Sequence, residues 1–152
     1  MADRLTREQR SFNMSRIRSS GTAPERRLLE LLRSLFPGEE IAERPAMPGR
    51  PDFFLPRLGI AFFADGCFWH GCPAHFRMPG SNRSYWEEKI RRNRSRDRAA
   101  DRALRAMGAR PVRVWEHELA KGGAAARKKV RRAAREAEKA DPLPGPAPGE
   151  LP

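Results

Sequence analysis

Apolar and polar positions fall into distinct blocks along the 152-residue chain. Thr6 can cap a short helix from Arg7 to about Ser19, with Phe12, Met14 and Ile17 as its large apolar residues. A second helix follows Gly21, with Thr22 as the expected N-cap and Pro24 and Glu25 in the first turn. Leu28, Leu29, Leu31, Leu32 and Leu35 give it a wide apolar stripe, so it packs into a core, and Pro37-Gly38 ends it. Glu39–Arg44 reads as a short edge strand before a PGRPD turn. Two compact apolar runs come next, Asp52–Leu55 and Leu58–Ala64, divided by a Pro-Arg turn. Both read as strands.

A long helix begins near Ser81–Ser84 and runs to Met107. Its seam is Trp86, Ile90, Asn93, Asp97, Ala100, Leu104 and Met107, spaced four and three alternately. Asn93 and Asp97 interrupt that line and need partners, either neighbouring backbone or a ligand. Gly108 closes the helix, and Arg110–Trp115 is a compact strand. Residues 118–139 are rich in Ala, Arg and Lys with almost no large apolar residue, which predicts a solvated basic helix after Gly122-Gly123. Residues 140–152 are Pro/Gly-rich and are expected to form a disordered tail. The order of elements predicts a small mixed sheet flanked by helices, of the α/β or α+β class, in one domain over residues 1–139.

Charge changes this picture most. The net charge is +12, and of the 31 basic residues only five are lysine. Arginine makes planar, bidentate contacts with phosphates and base edges, so this excess points to nucleic acid. No apolar run approaches the length that spans a bilayer, and the first ten residues lack a signal-peptide core, so a cytoplasmic location is expected. In a reducing compartment the only two cysteines favour metal ligation over a disulfide.

Both cysteines sit where the second apolar run ends. Cys67, Cys72 and His75 form a C-x4-C-x2-H pattern. A tetrahedral structural Zn²⁺ needs a fourth donor, and the choice lies between His70 and His117. His117, just past the last strand, is assigned because it would tie that strand to the central loop. His70 is then free for chemistry. Asp52 precedes one strand and Asp65 ends its partner, the outline of a metal-dependent nuclease. Oxygen ligands of that kind hold Mg²⁺, which aids in-line displacement at phosphate. The lysine usual two residues beyond the second acid is replaced by Cys67, so His70 becomes the candidate base.

The combination of PGRPDF, DGCFWHGCPxH, YWxxKIxxNxxRD and VWEHEL resembles the very short patch repair endonucleases, which nick DNA at T:G mismatches. SFNMSRI and TAPERRL also match, so the resemblance covers roughly residues 6–120. It implies a restriction-endonuclease-like core with a structural zinc site, cutting 5′ to the mismatched T after deamination of 5-methylcytosine. On matching positions, Asp52 and the backbone carbonyl of Ala64 would hold Mg²⁺, His70 would activate water, and Glu25 would support the site. Asp65 departs from the family pattern, which has a second histidine there; an acid could bind metal or hold a water. Cys67, Cys72, His75 and His117 would ligate zinc. Phe68 and Trp69 would wedge between base pairs beside the mismatch, with Met14 entering from the other groove, against a simpler reading of the two aromatics as core. Lys89 and Asn93 would face the mismatch from the major groove.

The expected partners are duplex DNA and, functionally, a DNA cytosine methyltransferase and a repair polymerase. The chain is expected to act as a bacterial, nucleoid-associated monomer. Two other readings fit parts of the sequence: a same-fold nuclease of a restriction system, and a non-catalytic zinc-stapled DNA-binding module.

Overall fold

A computed structural model describes residues 6–9 and 21–140. Thr6 caps a helix at residues 7–9, its Oγ1 accepting from the Gln9 amide at 3.1 Å. The rest of that predicted helix, Met14 included, and the Pro/Gly-rich tail lie outside the described residues. The helix α1 spans Ala23–Leu35, with Thr22 as N-cap accepting from the Glu25 amide. The strands are β1 (Ala42–Glu43), β2 (Phe53–Leu55) and β3 (Ile60–Asp65). After a long loop come α2 (Arg83–Ala106), β4 (Arg110–Trp115), the short α3 (Glu116–Leu119) and α4 (Ala124–Lys139).

The two apolar runs pair with each other as predicted, β2 antiparallel to β3 through a turn at residues 56–59. Every residue of β2 is buried, because both faces of the sheet are covered. Phe53, Leu55, Ile60, Phe62 and Val114 point to one face, under α1 and α4, in the larger core. Phe54, Ala61 and Phe63 point to the other, where they meet Met47, Leu104 and Ala109. The four strands run in the order β1-β2-β3-β4, and β4 lies parallel to β3. A parallel neighbour needs a long crossover, which α2 supplies. Gly49 lies under α2 at φ +75; a Cβ there would stand 2.5 Å from that of Ala100, so the PGRPD turn packs directly on the helix.

Two expectations need correction. Met107 ends the seam of α2 in solvent rather than in the core. More importantly, α4 is not simply a solvated helix. Ala126, Val130 and Ala134, four residues apart, are buried in the larger core, with Ala133 and Ala137 packed against it. Small side chains let α4 approach the sheet closely, while its arginines and lysines cover the outer face. Val130→Ala should therefore destabilise the domain by about 2 kcal/mol, as for other buried aliphatic truncations, measured by denaturant unfolding. A change within a few tenths of a kcal/mol would mean that α4 is not part of the core.

Candidate active site and metal cluster

The parallel register places Asp65 beside Trp115, so β3 and β4 end together. Ligand sites in such sheets gather beyond the carboxyl ends of the strands. Here the loop carrying Cys67, His70, Cys72 and His75 leaves β3, and His117 follows β4 as the second residue of α3.

The structure brings Cys67, Cys72, His75 and His117 together, with donor atoms all within 4.8 Å of one another. His117 Nδ1 lies 3.3 Å from Cys67 Sγ and 3.6 Å from Cys72 Sγ, and His75 Nδ1 is 4.0 Å from Cys72 Sγ. A tetrahedral zinc with ordinary bond lengths separates its S and N donors by about 3.6 Å. Both cysteines are buried free thiols, and burial pushes the Cys67 thiol up, above the lowering contact with His117. A cation among these donors would reverse that shift by favouring thiolate. The donor set and its spacing thus fit zinc. His70 is not in this cluster.

His70 turns instead toward α2. Its Nδ1 lies 2.6 Å from Asp97 Oδ2, and its Nε2 lies 3.7 Å from Asp65 Oδ1. Burial lowers the His70 pKa, but the Asp97 hydrogen bond and the Asp65 and Asp97 charges outweigh it, so the net shift is upward. The polar break in the α2 seam now has its explanation. Asn93 Nδ2 donates to the Trp69 carbonyl at 2.8 Å, and Asn93 Oδ1 accepts from Arg96. Arg94 donates to the Gly71 carbonyl at 2.5 Å. One helix face therefore fixes the loop on both sides of His70.

Asp65 is buried and does not stand alone. Arg113 Nη1 donates to both of its oxygens, at 3.2 and 3.1 Å. Burial raises the Asp65 pKa, and this exceeds the lowering by His70 and Arg113. Arg113, Asp101 and the partnership of Asp97 with His70 were not legible as site features in the sequence. The one available signal was an arginine midway between Val112 and Val114 in a strand with both neighbours on the core face.

Asp52 sits just before β2, where its Oδ2 accepts from the Ala64 amide at 2.8 Å. Burial pushes its carboxyl from 3.8 up to about 6; the Ala64 hydrogen bond and Arg44 oppose this, while Glu25 and Asp65 add repulsion. Glu25 is buried on α1, accepts from the Gly21 amide at 2.8 Å and lies 3.7 Å from Arg44 Nη2. An acidic hollow this poorly compensated fits a divalent cation. A site with few protein oxygen ligands suits Mg²⁺, which keeps most of its waters.

Phe68 and Trp69 are half-buried in an aromatic group. Phe68 packs edge-on to Trp69 and Trp86, at centroid distances of 5.1 and 5.2 Å, and lies 5.7 Å from Phe76. The Trp86 indole N–H in this group is buried without a hydrogen-bond partner among the described residues. Lys89 lies on the same helix, half-buried. No helix among the described residues is long and apolar enough to cross a membrane.

A family model described as DNA mismatch endonuclease Vsr matches residues 2–75. Type II nicking enzyme V.XorIIP of Xanthomonas oryzae is 39% identical over 125 residues, covering 82% of this chain and 91% of the relative. Type II nicking enzyme V.NaeI of Lentzea aerocolonigenes is 42% identical over 115 residues, 72% and 68% of the two chains. DNA mismatch endonuclease Vsr of Escherichia coli is 38% identical over 123 residues, 78% and 76%.

Proposed function

The chain belongs to the DNA mismatch endonuclease Vsr family, and from that premise we propose that it nicks one strand of duplex DNA 5′ to the T of a T:G mismatch, using Mg²⁺. That it is a DNA strand-nicking endonuclease follows from the family and from relatives that share most of their length with it. The mismatch, the metal and the residue roles are the proposal. The observation that carries it is the convergence, at the ends of β3 and β4, of a histidine held by a carboxylate, an under-compensated aspartate and a zinc-type cluster.

Asp52 and the Ala64 carbonyl would hold Mg²⁺, with Glu25 as the supporting acid behind them. When bound, that cation supplies charge stabilisation for the phosphate and leaving oxygens. His70 takes the proton from the attacking water on Nε2, because Nδ1 is engaged by Asp97. Water then attacks phosphorus, and the bond to the leaving oxygen breaks in line. Asp97 orients the ring and stabilises the imidazolium that forms.

Cys67, Cys72, His75 and His117 would hold Zn²⁺ and so set the position of His70, Phe68 and Trp69. Wedging those rings into a stack costs a few kcal/mol per step, and least where pairing is weak, as at a wobble pair. Their half-exposed packing leaves faces available for this, with Met14 assigned to the opposite groove. Lys89 would face the mismatch, and Asn93 would exchange its bond to Trp69 for a base edge. The arginines along α2 suit phosphate contacts. Functional links to a cytosine methyltransferase and a repair polymerase, and action as a monomer, belong to the same reading.

The test uses labelled duplexes with T:G and T:A at one position. Strand-specific cutting of T:G with Mg²⁺, and none with EDTA, is the expected result. Equal cutting of the matched duplex would favour a restriction-type nuclease. Binding without cutting would leave a DNA-binding module.

A further inference from the structure

Arg113 is a half-buried cation that the reaction described above does not use. It rises from β4 toward α2, its guanidinium carbon 4.0 Å over the centre of the Phe63 ring. Its Nε and Nη2 donate to Asp101 at 3.1 and 2.8 Å. Its Nη2 also donates to the Asp97 carbonyl at 3.3 Å, and its Nη1 grips both oxygens of Asp65. One rigid fork thus joins the end of β3 to two turns of α2, a geometry lysine cannot copy.

The consequence falls on His70. One ring nitrogen is bonded to Asp97 at 2.6 Å, and the other faces Asp65 at 3.7 Å, beyond hydrogen-bond reach. Asp65 is a buried carboxylate, and such a group must find donors. Among the described residues His70 Nε2 and Arg113 Nη1 are the cationic groups within 4 Å of Asp65, so without Arg113 the replacement donor is His70. An imidazole bonded to carboxylates through both nitrogens has no site left to accept a proton from water.

We propose that Arg113 is a positioning residue for strand cleavage: it holds Asp65 off Nε2 of His70 and keeps that nitrogen open to the attacking water. This rests on the reading of His70 as the group that activates water.

The test is cleavage of the T:G duplex, with kcat and KM measured for Arg113→Gln, Arg113→Lys and the double variant Arg113→Gln/Asp65→Ala. Both single variants should lose about tenfold to a hundredfold in kcat, up to the lower end of what a positioned base contributes, with KM for DNA changed less than about twofold. The double variant should be at least about tenfold faster than Arg113→Gln, because the capturing carboxylate is gone. At alkaline pH, ¹⁵N spectra should show the His70 Nε2 unprotonated in the wild type and as a bonded N–H in Arg113→Gln. Should Arg113→Gln fail to fold, Arg113→Lys keeps the cation over Phe63 and supplies the kinetic answer.

An unchanged kcat in a folded single variant overturns the proposal. So does a double variant no faster than Arg113→Gln with an unaltered His70 spectrum. His70→Ala in the same series separates the two levels. Cleavage that survives it overturns the role of His70 and, with it, that of Arg113. Cleavage lost in His70→Ala but normal in the Arg113 variants removes Arg113 alone.

Discussion

Asp52→Asn is expected to abolish strand cleavage while making the metal-free protein more stable at neutral pH. The two effects share one cause. Asp52 carries its charge in a buried site, beside Glu25 and Asp65, and its carboxyl is pushed up to about 6. Below pH about 4 the folded and unfolded chains both hold this proton, and the group contributes nothing. Between pH 4 and 6 the folded chain holds a proton that the unfolded chain has released, so stability falls as pH rises. Above pH 6 the penalty is complete, on the order of 2–3 kcal/mol for a shift of about two units. Asparagine removes that penalty and can still accept the Ala64 amide through its side-chain oxygen. The gain in Tm should therefore be absent near pH 4 and reach its full size above pH 6.

Catalysis should move the other way. Losing the carboxylate would remove the proposed anchor of the cation, and several kcal/mol of transition-state stabilisation correspond to at least about a thousandfold in rate. Added Mg²⁺ should raise the Tm of the wild type and leave that of Asp52→Asn unmoved. Thermal melts across pH, with and without Mg²⁺, together with cleavage assays check all of this. A variant less stable than the wild type at pH 8, or one that cuts within tenfold of it, would remove Asp52 from its assigned place.

Which features the sequence disclosed follows from what each depends on. The strands β2 and β3 were visible because both faces are covered, so Phe53–Leu55 and Ile60–Phe63 read as unbroken apolar runs. The start of α1 was visible because capping is local, set by Thr22 and Glu25 three residues apart. The burial of α4 was hidden because its core face is built from Ala126, Val130 and Ala134. Small residues among many cations leave little apolar signal, though they pack closely. Cys67, Cys72 and His75 are close in sequence and could be read from spacing, and the fold brings His117 beside them while His70 turns to Asp97. The Asp97–His70 and Arg113–Asp65 pairs span 27 and 48 residues. They depend on the parallel register of β3 with β4 and on the path of α2, which no local pattern encodes. The break in the α2 seam marked the right helix face but could not name what it faced.

Zinc removal is expected to disable the enzyme without melting the sheet. The loop from Gly66 to Phe76 packs its aromatic residues Phe68, Trp69 and Phe76 around Trp86 rather than in either core. Asn93, Arg94 and Asp97 hold its middle, and the four-residue cluster pins it at Cys67 and again at Cys72–His75. The two cores involve α1, α4, the β-strands and the lower part of α2, and neither includes this loop. Metal analysis of the purified protein should find one zinc per chain. Exhaustive chelation, or Cys72→Ser, should abolish cleavage, because His70 and the Phe68–Trp69 pair lose their fixed positions. The near-ultraviolet signal from the Trp69–Trp86 group should collapse while the far-ultraviolet signal is largely kept. Binding at structural zinc sites is coupled to local folding and contributes several kcal/mol, so with zinc removed Tm should fall by roughly 10 °C or more in a domain of this size. Readdition of zinc should restore the near-ultraviolet signal and cleavage together. Full activity in a protein verified to hold no zinc would mean that the hydrogen bonds and ring contacts from α2 fix the loop, and the cluster would then have no part in placing His70.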